Sequence, residues 1–209
     1  MTRDAWVARA SIILNDIRAL LSPLGIVIAP DLRVIGDLHP CPGYMHDART
    51  IGFCPPTVET PVDRLRWAFF AKAMGCESVE EARDFYEVAL PFVIAHETSH
   101  HLRMSAGLDA GSHFVEEQAC DKLAAAIVDA MPQHASSLAP LQARCARMQK
   151  ALAGMFADGP TSAFLPDITD IASHDPKTRA RLDELWSITA REGLSYGALA
   201  LLVDRKSVV

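Results

Sequence analysis

Between residues 4 and 21 apolar side chains recur at three- and four-residue intervals: Trp6, Ala10, Ile13, Leu14, Ile17 and Leu21. That spacing puts them on one face of a helix, which Pro23 ends. The pattern then shortens. Residues 26–29 and 32–35 are β-branched runs around Pro30-Asp31, and they predict two strands joined by a turn. Residues 36–56 are rich in Gly, Pro and His and read as loop, apart from a third strand at Thr50–Phe53.

Helical punctuation follows. Thr60 is a predicted N-cap with Pro61 in the first turn. Leu65, Phe69, Phe70 and Ala73 give that helix its apolar face, and Gly75 ends it. Ser78 and Glu81 form a capping box for the next helix. Pro91 is expected to kink that helix or to restart it, so that residues 92–104 form a segment of their own. A break at residues 107–111 precedes a helix over 112–130, closed by Pro132. Downstream the pattern predicts helices over 140–156, from Asp175-Pro176 to about Gly193, and over 195–203. The sum is an α+β chain, mostly helical. A small N-terminal sheet should pack on the 92–104 helix and the helix after it. One domain spans 1–209, with its core at about 24–131 and a C-terminal helical part at about 132–209.

Composition narrows the function. A chain of 209 residues, half of them apolar, can bury a single core. The net charge of −6, with no basic run, argues against nucleic acid and anionic membranes as partners. The longest apolar stretches fall short of the roughly 20 residues that span a bilayer. The N-terminus MTRDAWVARA lacks the apolar core of a signal peptide, so a cytoplasmic location is expected. Cys41, Cys54, Cys76, Cys120 and Cys145 are odd in number and form no CxxC, which fits free thiols in a reducing compartment.

The chemistry sits in AHETSHH, residues 95–101. His96-Glu97-Thr98-Ser99-His100 is HExxH on a predicted helix. Positions four apart stack one turn above each other, so two imidazoles reach one zinc ion. Glu97 leans toward the open side of the ion, where it can take a proton from water. The approach ALPFVIA is wholly apolar, which makes this a central helix. A catalytic zinc needs a third protein ligand. The extended pattern HExxHxxGxxH is excluded, because Arg103 and Ala106 occupy its glycine and histidine slots.

The usual third ligands are a nearby histidine or a glutamate from a second helix, and the helix FVEEQACDKLAAAIV offers the latter. Glu117 and Asp121 share a face there. Glu117 is favoured as the metal ligand, because Asp121 is then free to accept a hydrogen bond from a ligand histidine and fix its tautomer. Glu116, whose face carries Cys120 and Leu123, is the competitor.

HExxH followed by ExxxD on a later helix resembles the gluzincin metallopeptidases. The similarity is to compact forms: minigluzincins and the soluble core of the heat-shock and CAAX-protease-like enzymes. VIAHETSHH, EEQACDKLAA and the preceding TIGFCPP carry the resemblance, over roughly residues 50–130. It implies a zincin-like fold, Zn2+ as cofactor and hydrolysis of a protein or peptide substrate. It also implies that Thr50–Phe53 is an edge strand holding extended substrate. Ser173-His174-Asp175-Pro176 with Arg179 resembles the SHP…R segment of the CAAX-protease-like enzymes, with Asp175 inserted. This resemblance implies a catalytic role for His174, or for Arg179, in stabilising the oxyanion; a tyrosine such as Tyr196 is a further candidate outside the resemblance.

The remaining histidines are expected in polar surface or loop roles. His101 should face away from the metal, His113 lies at a helix start, and His46 is in the loop with Tyr44. The rival to an enzyme is a non-catalytic zinc-binding regulatory module that keeps the HExxH site.

Overall fold

A computed structural model describes residues 1–36, 43–108, 113–144 and Arg147. The chain is mixed α+β and mostly helical, with one small sheet.

Helix α1 spans Arg3–Leu21 and starts at Thr2, whose hydroxyl accepts from the Ala5 N–H. Its buried residues are the six apolar positions of the sequence pattern. Gly25, at φ 75°, closes the short turn Ser22–Leu24 that follows.

Residues 26–29 are not a strand, and the expected hairpin with 32–35 does not form. Side chains take up this backbone instead. Arg18 donates to the carbonyls of Ala29 and Leu32, and the Ala29 N–H donates to His101 Nε2 at 3.3 Å. Ile28 is buried while Ile26 and Val27 stay exposed, so half of the apolar run serves no core.

Strand β1, Arg33–Gly36, pairs in parallel with a later strand, Thr50–Phe53. Between them lies Gly43–Met45, β2, inside the segment read as loop. It pairs antiparallel with Thr50–Phe53, which is therefore β3. The order β1-β3-β2 puts β3 in the middle of the sheet with all four residues buried, so it is not the expected edge strand. Four buried residues in a row suit a central strand and leave no polar face for an edge. Gly36 lets the end of β1 approach α1: a Cβ there would sit 2.9 Å from a Val7 methyl and 3.0 Å from Pro55.

Helix α2, Pro61–Ala73, opens with a reciprocal box in which Thr60 and Asp63 each accept from the other's backbone N–H. Its Trp67 is buried, stacks on Phe70 and meets Tyr86 edge-on. Helix α3 runs unbroken from Val79 to Ser105. Pro91 neither ends nor restarts it. The proline is buried with Leu90, Phe92, Ile94 and Ala95, and this packing outweighs the single backbone bond it forgoes. Helix α4, His113–Asp129, lies along the second half of α3.

Residues 138–144 are helical, which begins the helix predicted over 140–156. Arg144 ties this segment to the start of α3 through Glu81 and Cys76, with its guanidinium over the Phe85 ring. The helices predicted beyond lie outside the described residues. No described helix is long and apolar enough to cross a membrane.

Candidate metal centre

Two stripes of α3 reach two neighbours. His96 and His100, four apart, turn toward α4. Glu97 and His101, one position on, turn toward β2.

His96 is buried, and its two ring nitrogens have separate partners on α4. Nδ1 lies 2.8 Å from Asp121 Oδ1, and Nε2 lies 3.0 Å from Glu117 Oε2. His100 brings its Nε2 to 3.1 Å from that of His96 and 3.4 Å from Glu117 Oε1. Its other nitrogen faces Cys120 Sγ at 3.2 Å and Glu116 Oε1 at 3.7 Å. Glu116 is held by Arg103 through two bonds of 2.9 Å. The α4 helix thus serves each imidazole with an i, i+4 pair: Glu117 and Asp121 for His96, Glu116 and Cys120 for His100.

These partners fix the tautomers. Asp121 is buried beside His96 Nδ1, so the ring proton belongs on Nδ1. The Cys120 thiol is pushed well up, first by burial and then by the Glu116 and Glu117 carboxylates. It stays neutral, donates to Glu116, and leaves its sulfur to accept from His100 Nδ1–H. Both Nε2 nitrogens then turn lone pairs toward each other and toward the Glu117 carboxylate. Lone pairs this close need a positive charge among them.

Burial works against charge on His96, but its hydrogen bonds to Asp121 and Glu117 outweigh burial and hold its pKa well above the usual imidazole value. Burial likewise opposes ionisation of Glu117, and its bonds to His100 and His96 bring its pKa down to about 2. A metal ion fits the same place. His96, His100 and Glu117 form a group whose ligand atoms all lie within 4.8 Å of one another. An ion held tetrahedrally at about 2.0–2.1 Å, as zinc is, sets its ligand atoms about 3.3 Å apart. The two Nε2 atoms, 3.1 Å apart, are close to that spacing, and the Glu117 carboxylate offers Oε2 to His96 at 3.0 Å and Oε1 to His100 at 3.4 Å.

Glu97 is buried, and burial raises its pKa, with the neighbouring His96 and His100 pulling the other way. A hydrogen bond from the Tyr44 backbone also steadies its ionised form. A carboxylate with a raised pKa, beside two imidazoles, is suited to exchange a proton near neutral pH.

The chain matches no family model, no curated protein and no solved structure. Function is therefore argued from these side chains.

The structure brings together five sequence-predicted residues: His96, Glu97, His100, Glu117 and Asp121. Glu116 is drawn away from the shared point by Arg103. His101 does face away from the metal group, yet it is 3% exposed rather than a surface residue. Its Nδ1 is 2.9 Å from the Tyr44 hydroxyl. His46 is exposed in the β2–β3 turn, 3.4 Å from the same hydroxyl. His174, Arg179 and Tyr196 lie outside the described residues, as do Cys41, Cys145 and the His113 side chain. Cys54, Cys76 and Cys120 are free thiols.

The contacts of Tyr44 with His101 and of Cys120 with His100 are what sequence reading missed. Cys120 carried a signal, since it follows Glu116 at the interval that separates Asp121 from Glu117. Tyr44 carried none while its segment read as loop.

Proposed function

We propose that this chain is a zinc-dependent endopeptidase acting in the cytoplasm on a protein or peptide substrate, with a zincin-like arrangement of sheet and helices. The observation that carries the reading is the convergence of three lone-pair donors, His96 Nε2, His100 Nε2 and Glu117, within 4.8 Å of one another, with Glu97 beside them. His96, His100 and Glu117 would hold the ion, and Asp121 orients the first of these rings. Bound there, zinc supplies Lewis acidity, bringing the pKa of water toward about 7 and polarising a carbonyl. Glu97 takes the proton from the attacking water and returns it to the leaving nitrogen. His174, with Arg179 and Tyr196 as the other candidates, is assigned the oxyanion. The three free thiols described fit a reducing compartment.

The test joins metal analysis to peptide cleavage. The purified protein should carry one zinc per chain and cut a mixed peptide library or casein. Glu97→Gln should keep the zinc and lose the cleavage. Protein without stoichiometric metal, or a Glu97→Gln variant that cleaves at the original rate, overturns the proposal.

A further inference from the structure

We infer that His101 and Tyr44 form a clamp that positions Glu97. The inference rests on the peptidase reading for the word base, and on geometry for the clamp itself.

Glu97 and His101 are four residues apart on α3, so both meet the same neighbour, the edge strand β2. Tyr44, its middle residue, engages both. Its backbone N–H donates to the Glu97 carboxylate. Its hydroxyl lies 2.9 Å from His101 Nδ1, with the rings edge-on at 5.3 Å. The His101 proton can be assigned. Nε2 accepts from the Ala29 N–H, so a neutral ring carries its hydrogen on Nδ1 and donates it to the Tyr44 oxygen. The Tyr44 hydroxyl hydrogen is then free to point at His46 Nδ1, 3.4 Å away. Both nitrogens of a buried imidazole are therefore used, and they link three segments: the chain before β1, strand β2 and helix α3.

Such a clamp has a purpose here. Strand β2 is three residues long and, among the described residues, pairs only with β3. Short edge strands open locally at little cost. Yet this one supplies the donor that fixes the rotamer of a buried carboxylate. A base must be held within about 0.5 Å of its productive position, and the side-chain bond from His101 to Tyr44 keeps the backbone N–H in place. His101 and Tyr44 are positioning residues, acting on Glu97 without touching substrate.

The experiment compares His101→Ala, Tyr44→Phe, the double variant, His101→Asn and His101→Gln in the full chain. Two readouts are used: exchange of the Tyr44 amide by NMR, and cleavage of casein with zinc content measured. His101→Ala should speed Tyr44 amide exchange while the amides of Thr50–Phe53 keep theirs, and Glu97→Ala should speed the same amide. In cleavage, kcat should fall about ten- to hundredfold, the scale of a small misplacement, with KM and zinc unchanged. The double variant should be no worse than the worse single one. His101→Asn, which sets an amide where Nδ1 was, should recover most of the loss, and His101→Gln, which reaches the Nε2 position, should not. A Tyr44 amide indifferent to His101→Ala or to Glu97→Ala overturns the clamp. So does wild-type kcat in His101→Ala, or additive loss in the double variant. The expected exchange pattern in a protein that neither binds zinc nor cleaves supports the clamp and removes the peptidase reading alone.

Discussion

The Nδ1 atom of His96 lies 2.8 Å from the Oδ1 of Asp121, and both residues are buried. A ring held that way keeps its Nδ1–H on Asp121 and has one orientation. Asp121→Asn keeps the volume and removes the charge. It should lower zinc affinity about 10- to 100-fold, the cost of losing such a partner. Competition against a chelator of known affinity measures this, and unchanged affinity would show that Asp121 does not orient His96.

The two adjacent glutamates make opposite predictions. Glu117→Gln should abolish stoichiometric zinc. Glu116→Gln should leave the ion bound and cost about 1 kcal/mol of stability, because it weakens the partly buried hold of Arg103. Metal analysis and urea unfolding on the two proteins separate them. Retention of zinc by Glu117→Gln with loss in Glu116→Gln would reverse the ligand assignment.

Zinc should stabilise the folded chain by mass action. At a free concentration about 100 times the dissociation constant the gain is about 2.7 kcal/mol. Dialysis against a chelator should lower the melting temperature, and adding zinc back should restore it. A melting curve indifferent to both treatments would mean that folding and metal are unlinked.

Asp63 predicts part of the acid sensitivity. Burial raises its pKa, but the Thr60 hydrogen bonds and nearby Arg66 outweigh burial and leave it below the usual aspartate value. A carboxyl lowered in the folded state adds stability above its unfolded pKa of about 3.9. That contribution is lost as pH falls below about 4, through the folded value. Asp63→Asn should therefore be less stable than wild type at pH 6, with the gap closing toward pH 3. Urea midpoints across that range check the sign, and a constant gap would mean that the charge on Asp63 adds nothing.

Gly36→Ala should destabilise by about 1–3 kcal/mol, since the new methyl meets Val7, Pro55 and Arg3 within 3.1 Å. Gly43→Ala, where nothing lies within 4 Å, is the control. Equal effects at the two positions would refute the close approach of β1 to α1.

Helices were legible because their signals are local. The Thr60 and Ser78 caps, the six-residue face of α1 and the four-residue interval of HExxH all lie within a few turns of their effect. Two strands were legible, 32–35 nearly as β1 and Thr50–Phe53 as β3, but their pairing was not, since it joins β1 to β3 across an intervening strand. The run 26–29 has β-branched residues but no partner strand, and Arg18 and His101 supply its hydrogen bonds from distant points. Pro91 did not restart the helix as expected; the local rule weighs one lost backbone bond without the packing around it. At the site, the meeting of His96 and His100 followed from spacing, whereas the support for Glu97 depends on a fold the sequence does not display.

The doubled pairing of α4 with the two imidazoles fixes the helix in phase as well as in place. Sliding its sequence by one residue turns it by about 100°. Glu116 would then stand where Glu117 does, and the thiol of Cys120 would replace the Asp121 carboxylate behind His96. Behind His100, Ala119 would offer no polar atom at all. Only one rotational setting serves both rings, so insertions or deletions within this helix are expected to be far more damaging than most of its single substitutions.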